Sequence, residues 1–287
     1  MHILHILLHA LEHSVLDALK LLPFLFLTYL IMEMLEHTTG DKVTKMISRS
    51  GKVGPLFGGL LGAVPQCGFS ASGAGLYSGR VITLGTLFAI FLSTSDEMIP
   101  VMLSNRADIT TVLTILATKI VIGIAVGFVI DLAFVKKEEV KIVDICENEG
   151  CHCENGVLRS ALHHTLSVFA FVLAVGFILE TVIGFVGEDV IAAVMSDMPV
   201  VSNVLAATVG LIPNCAASVV ITELYLEGVI SAGSMMSGLL TGAGIGTLVL
   251  FRTNKSLKEN LVILLSLWLI GIAVGLVLDV AGFGGIL

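Results

Sequence analysis

The sequence predicts an all-α polytopic membrane protein made of two inverted-topology repeats, each with three crossing helices and one proline-broken re-entrant hairpin. Three observations predict it: long apolar runs, an internal repeat at one fixed offset, and the placement of Lys and Arg among the loops. Of 287 residues, 56% are hydrophobic and 13% charged, and the mean hydropathy is +1.01. Soluble domains carry about a quarter charged residues. Here the charges cluster between apolar runs at 82–103, 110–135, 165–187, 229–251 and 260–283, with a further run at 14–36. Each reaches the roughly 20 residues that cross a ~30 Å hydrocarbon core. No cleavable signal peptide is expected, because no Lys or Arg stands ahead of the first apolar stretch.

Sliding the chain against itself by 148 residues lays Gly62-Ala63-Val64-Pro65-Gln66-Cys67 on Gly210-Leu211-Ile212-Pro213-Asn214-Cys215. Ser70 then meets Ser218, Tyr77 meets Tyr225, Gly85 meets Gly233, and the run Ile122 to Gly127 meets the identical run Ile270 to Gly275. Asp131 falls on Asp279, and one residue of slippage sets Phe24 on Phe171 and Glu33 on Glu180. Chance explains scattered Val and Leu identities, but not Pro, Cys, Tyr and Asp at one shared offset. The chain therefore divides into a first repeat over 1–135, a linker over 136–160 and a second repeat over 161–287. Each repeat reads as a long helix, an interrupted segment (54–78 or 202–226) and two further long helices. Pro65 and Pro213 break the interrupted segments, since proline removes a backbone donor and clashes with the preceding turn.

Lys and Arg collect in cytoplasmic loops of membrane proteins. Lys42, Lys45, Arg49 and Lys52 follow the first helix. Lys136, Lys137, Lys141 and Arg159 lie in or beside the linker, and Arg252, Lys255 and Lys258 separate the last two helices. A full crossing by 54–78 would put the first two groups on opposite sides. A hairpin returning to its own side puts all three, and Arg80, in the cytoplasm, leaving Arg106 outside. Three crossings per repeat then invert the second against the first, with the linker cytoplasmic and both termini on the far side of an inner membrane. Inverted repeats with broken helices mark secondary transporters that hold their substrate at the midplane.

The candidate substrate site follows from this frame. The two tips offer Gln66, Cys67, Asn214 and Cys215 together with half-helix ends. Ser93-Thr94-Ser95-Asp96-Glu97 places two carboxylates in an apolar run, at on the order of 3 kcal/mol each by insertion scales. Such acids persist when they face a cation, a proton path or a basic partner, and Lys119 in the next helix is a candidate partner. A wet position at the outer interface is the alternative. The second repeat has Thr241-Gly242-Ala243-Gly244-Ile245 at the matched place, so the site is asymmetric. Glu33 and Glu180 fit coupling or interfacial roles; Asp131 and Asp279 fit structural anchors. His2, His5, His9 and His13 share one face of an N-terminal helix and suit a metal or a wet amphipathic surface. Cys146, Cys151, His152 and Cys153 in the linker suit soft or borderline ions, and five cysteines in this layout argue against a disulfide framework.

The paired Pro-[Gln/Asn]-Cys breaks, the run Ser93 to Glu97 followed by Met98-Ile99-Pro100, and the basic, cysteine-bearing linker resemble the ten-helix heavy-metal exporter family over nearly the whole chain. Its members are described as arsenic efflux proteins or manganese transporters. The resemblance implies an inner-membrane efflux carrier whose substrate is a metal or metalloid. Manganese prefers oxygen ligands, which Asp96, Glu97, Gln66 and Asn214 supply; trivalent arsenic prefers thiolates, of which the membrane core has Cys67 and Cys215. The residues thus favour Mn2+ or a similar divalent ion, exchanged for protons at Asp96 and Glu97. An oxyanion held at half-helix N-termini is a rival reading, and a metal-sensing membrane protein is another. No enzyme motif is present. The expected partners are the lipid bilayer and a small ion, with no nucleic acid and no cofactor; a homo-oligomer is compatible with the sequence.

Overall fold

A computed structural model describes residues 8, 10–12, 14–16, 18–19, 22–23, 25–27, 29–30, 53–65, 67–95, 98–133, 157–186 and 199–285. Among them the regular structure is helical throughout. The first repeat supplies α1 (Gly54–Gly62), α2 (Cys67–Ser78), α3 (Leu84–Ser93), α4 (Met98–Ser104) and α5 (Ile109–Ala133). The second opens with α6 (Val157–Val186) and continues with α7 (Pro199–Gly210), α8 (Cys215–Leu226), α9 (Ala232–Thr241), α10 (Ile245–Thr253) and α11 (Leu257–Val280), followed by a 3-10 turn at Phe283–Gly285. The chain is a multi-pass membrane protein: Leu84–Ser104, Ile109–Ala133, Ala161–Ile178, Ala232–Thr253 and Leu257–Val280 have the length and hydropathy of membrane spans.

The interrupted segments 54–78 and 202–226 are indeed helix, break, helix. The runs 82–103 and 229–251, read from the sequence as continuous helices, are also interrupted. Thr94 and Ser95 are non-helical between α3 and α4, and Gly242 and Ala243 are non-helical between α9 and α10. Gly244, with φ of +53°, takes a backbone conformation that a side chain resists. Pro100 sits in the first turn of α4, where a missing N–H costs little.

These broken spans form the interior. Leu84–Ser104 is 75% buried and Ala232–Thr253 89%, against 22–24% for the other three spans, so α5, α6 and α11 form the outer, lipid-facing wall. Leu132, Val129, Val262 and Val280 stand exposed on that wall. Water would penalise such a surface, and acyl chains do not.

Both repeats build the start of the interior helix from matching atoms. Thr83 caps α3 by accepting from the Thr86 N–H at 3.1 Å, and Ser231 caps α9 by accepting from the Ser234 N–H at 3.0 Å. Asp131 of α5 accepts from the Gly85 N–H at 2.8 Å and the Thr83 hydroxyl at 2.7 Å. Asp279 of α11 accepts from the Gly233 N–H at 3.0 Å and the Ser231 hydroxyl at 3.0 Å. Close approach of the backbones makes this possible: a Cβ at Gly85 would collide with the Gly127 carbonyl, and one at Gly233 with that of Gly275. The anchor role read for Asp131 and Asp279 is thus an N-terminal cap supplied by the neighbouring helix.

α1 runs alongside α3 in the same direction, with Gly54 against Thr86 and Gly62 against Ile90 and Ser93. α7 runs likewise along α9, with Gly210 against Gly238 and Thr241. The second arms then cross to the other repeat. α2 packs on α10, where Gly246 lies against Ser70, and α8 packs on α4. One core of buried side chains draws on both repeats.

Candidate functional site

One small, partly enclosed cavity lies where three interruptions converge. Thr94, Ser95 and Met98 line it from the α3–α4 break, Gly210, Asn214, Ala217 and Ser218 from the α7–α8 tip, and Leu239, Gly242 and Gly244 from the α9–α10 break. Half-helix ends leave backbone groups without helical partners, so such a meeting point is rich in ligands even where side chains are small.

The hydroxyls are arranged as acceptors. Thr94 donates its hydroxyl to the Ile90 carbonyl at 2.8 Å, and Ser95 donates to the Ser93 carbonyl at 3.0 Å. A hydroxyl whose proton is committed to the backbone keeps its lone pairs for another donor or a cation. Ser93, also singled out from the sequence, is fully buried and bonds to the Ala89 carbonyl at 2.7 Å. It packs toward Gly62 of α1, outside the cavity lining.

Asn214 is the N-cap of α8, its Oδ1 accepting from the Ala216 N–H at 3.2 Å. Its Nδ2 is buried without a hydrogen-bond partner, and the residue is 8% exposed. An unsatisfied buried amide costs on the order of 1–3 kcal/mol, which a bound ligand would recover.

Lys119 of α5 is fully buried. Its Nζ donates to the Thr94 carbonyl and, at 2.8 Å, to the Leu239 carbonyl. It therefore ties the C-terminal end of α3 to that of α9, one from each repeat. The sequence marked Lys119 as a charge partner but gave no sign of these carbonyls, because Leu239 is 120 residues away.

Cys67 and Cys215 open α2 and α8; their side chains, and that of Glu180 in α6, lie outside the described residues. So do Gln66, Asp96, Glu97, Glu33, the linker group Cys146, Cys151, His152 and Cys153, and the N-terminal His2, His5, His9 and His13. Among the described residues no three His, Cys, Asp or Glu side chains form a metal-holding group.

A second polar cluster escaped the sequence reading. Arg80 grips Glu259 with two bonds, 2.7 and 2.9 Å, while the Tyr77 hydroxyl also donates to Glu259 and the guanidinium lies 5.1 Å from the Tyr77 ring centre. Ser78 and Thr253 share a hydrogen bond of 2.6 Å beside it. Arg80 and Glu259 are 179 residues apart. Only the assignment of Arg80 and the loop 252–258 to one compartment hinted at the meeting.

A family model described as "Putative, 10TM heavy-metal exporter" matches residues 7–145 and 133–246, which together span 240 of the 287 residues. No curated protein and no solved structure matches the chain.

Proposed function

The chain belongs to the 10TM heavy-metal exporter family, and on that premise we propose that it is a proton-coupled secondary transporter exporting a divalent transition metal such as Mn2+. The carrying observation is the convergence of three interrupted segments on one small cavity that Thr94, Ser95 and Asn214 help to line. Non-helical backbone at membrane depth is tolerated where it lines such a space, and transporters place their substrate there.

Several contacts support inverted repeats with re-entrant hairpins. Gly54 at the start of α1 lies beside Thr86, and Thr83 meets Asp131, so the chain enters and leaves 54–78 at the level where α3 begins. Arg80 at that level pairs with Glu259 at the start of α11. Asp279, the counterpart of Asp131, is 20 residues further along α11, about 30 Å at 1.5 Å per residue. Matching ends of the two repeats then face opposite sides. Positive-inside reasoning makes the Arg80 side cytoplasmic in a plasma membrane.

Within the cavity, oxygen acceptors from Thr94 and Ser95 suit a hard divalent ion. Asp96 and Glu97 lie in sequence between Ser95 and Met98, both of which line it; we assign these two acids the neutralising charge and the exchanged protons. The unpartnered amide of Asn214 favours a second reading, a metalloid hydroxide or oxyanion accepting from Nδ2. Inverted vesicles offered Mn2+, arsenite or phosphate test both. Mn2+ accumulation that disappears in Asp96→Asn/Glu97→Gln, with membrane content unchanged, is the expected result; full Mn2+ transport by that variant would overturn the assignment.

A further inference from the structure

The ammonium of Lys119 occupies a position with the features of a monovalent cation site. Two of the groups that accept from it are carbonyls at the ends of two half-helices, where the backbone dipoles concentrate negative charge. The Leu239 carbonyl has lost its helical partner, because the Ala243 N–H turns to the Thr241 carbonyl at 2.9 Å. The Thr94 carbonyl leaves the helical direction, since Thr94 has ψ of 129°. Carbonyls freed at a helix break are the groups that replace water around alkali ions. The matched residue in the second repeat is Leu267, also fully buried, which fills its place with an apolar side chain. Only the first repeat's outer helix carries a charge at this register.

We propose that the space around the Thr94 and Leu239 carbonyls is a built alkali-cation site, filled in this protein by the side chain of Lys119. The tethered ammonium supplies the positive charge that holds α3 against α9, so the native protein needs neither Na+ nor K+ there. This inference stands on the contacts of Lys119 with Thr94 and Leu239, two residues that also line the cavity, and it holds whichever ion is transported.

The test compares the full-length purified protein with Lys119→Ala, which removes the ammonium and opens room for an ion with water, and with Lys119→Met, which removes the charge but keeps most of the stem. Thermal unfolding is followed in sodium, potassium and N-methylglucamine chloride at equal ionic strength. Wild type should melt at one temperature in all three. Lys119→Ala should melt lower in N-methylglucamine and rise by about 4 °C when sodium or potassium exceeds its dissociation constant ten-fold. Lys119→Met should show no cation effect. A Lys119→Ala protein indifferent to the cation overturns the proposal. So does a Lys119→Ala protein that fails to accumulate in high sodium while Lys119→Met accumulates normally, because the position would then require bulk and not charge.

Discussion

Asn214 lines the cavity and holds its helix with one end of its amide. Its oxygen caps α8 and its Nδ2 has no partner, so the two ends can be separated by substitution. Asn214→Asp keeps an acceptor for the Ala216 N–H and replaces the donor by a negative charge. If the substrate is a divalent cation, the half-saturating concentration in vesicle uptake should fall about ten-fold, a gain of about 1.4 kcal/mol, with slower release. Loss of binding instead would point to a metalloid or oxyanion that needs the donor. Gly85 and Gly233 make a matched pair of a different kind. Alanine at either would meet a backbone carbonyl of the adjacent outer helix, which cannot move away without lifting the Asp131 or Asp279 cap. Each Gly→Ala change should cost more than about 2 kcal/mol, read as a lower melting temperature or poor membrane yield. Gly282→Ala is the control: it carries φ of +70° with open space around it, and should cost about 1 kcal/mol from backbone strain alone.

At the scale of elements, the contact between α2 and the start of α11 joins the two repeats at one end. The opposite end lacks the same device. Tyr225 matches Tyr77, but Gly228 stands where Arg80 does and Thr111 where Glu259 does. The shared backbone turn survives the difference, for Arg80 (φ +59°) and Gly228 (φ +75°) both take left-handed geometry after their helices, with the Val81 N–H reaching Leu76 and the Val229 N–H reaching Leu224, each at 2.9 Å. The bridge is partly exposed, with side-chain accessibilities of 35% and 27%, so it should contribute about 1 kcal/mol or less. Arg80→Glu and Glu259→Arg should each lower the melting temperature, and the double reversal should recover part of the loss; no recovery would mean the pair is incidental. How these elements are distributed was legible in the sequence to different depths. The breaks within 54–78 and 202–226 were visible because Pro65 and Pro213 mark them. The interior breaks were not, since Ser, Thr and Gly interrupt a helix only where neighbours such as Lys119 satisfy the freed carbonyls, and hydropathy reads straight through them. Asn214 was legible as a tip residue through its repeat, whereas the Arg80–Glu259 contact depends on how two repeats interlock, which no local pattern encodes.

For the whole molecule, orientation is the property on which the cavity's role depends. Between inverted repeats, each half presents the same surfaces to opposite compartments, and rocking of one against the other exchanges access. The contacts tie Gly54, Arg80 and Glu259 to one level and Asn203, Ser231 and Asp279 to the other: Asn203 donates to Asp279 at 2.7 Å while α11 runs its full length between Glu259 and Asp279. Positions near 40, and Lys255 beside the Arg80 cluster, should therefore share the cytoplasmic side. Gly228 and Gly282 should share the outer one. Single cysteines introduced at 40, 255, 228 and 282 in a background without the five native cysteines, labelled in intact cells with a membrane-impermeant maleimide, should react at 228 and 282 and stay protected at 40 and 255 until the cells are opened. Opposite accessibility of 40 and 255 would remove the inverted arrangement, and with it the reason to place alternating access at the cavity that Asn214, Thr94 and Gly244 line.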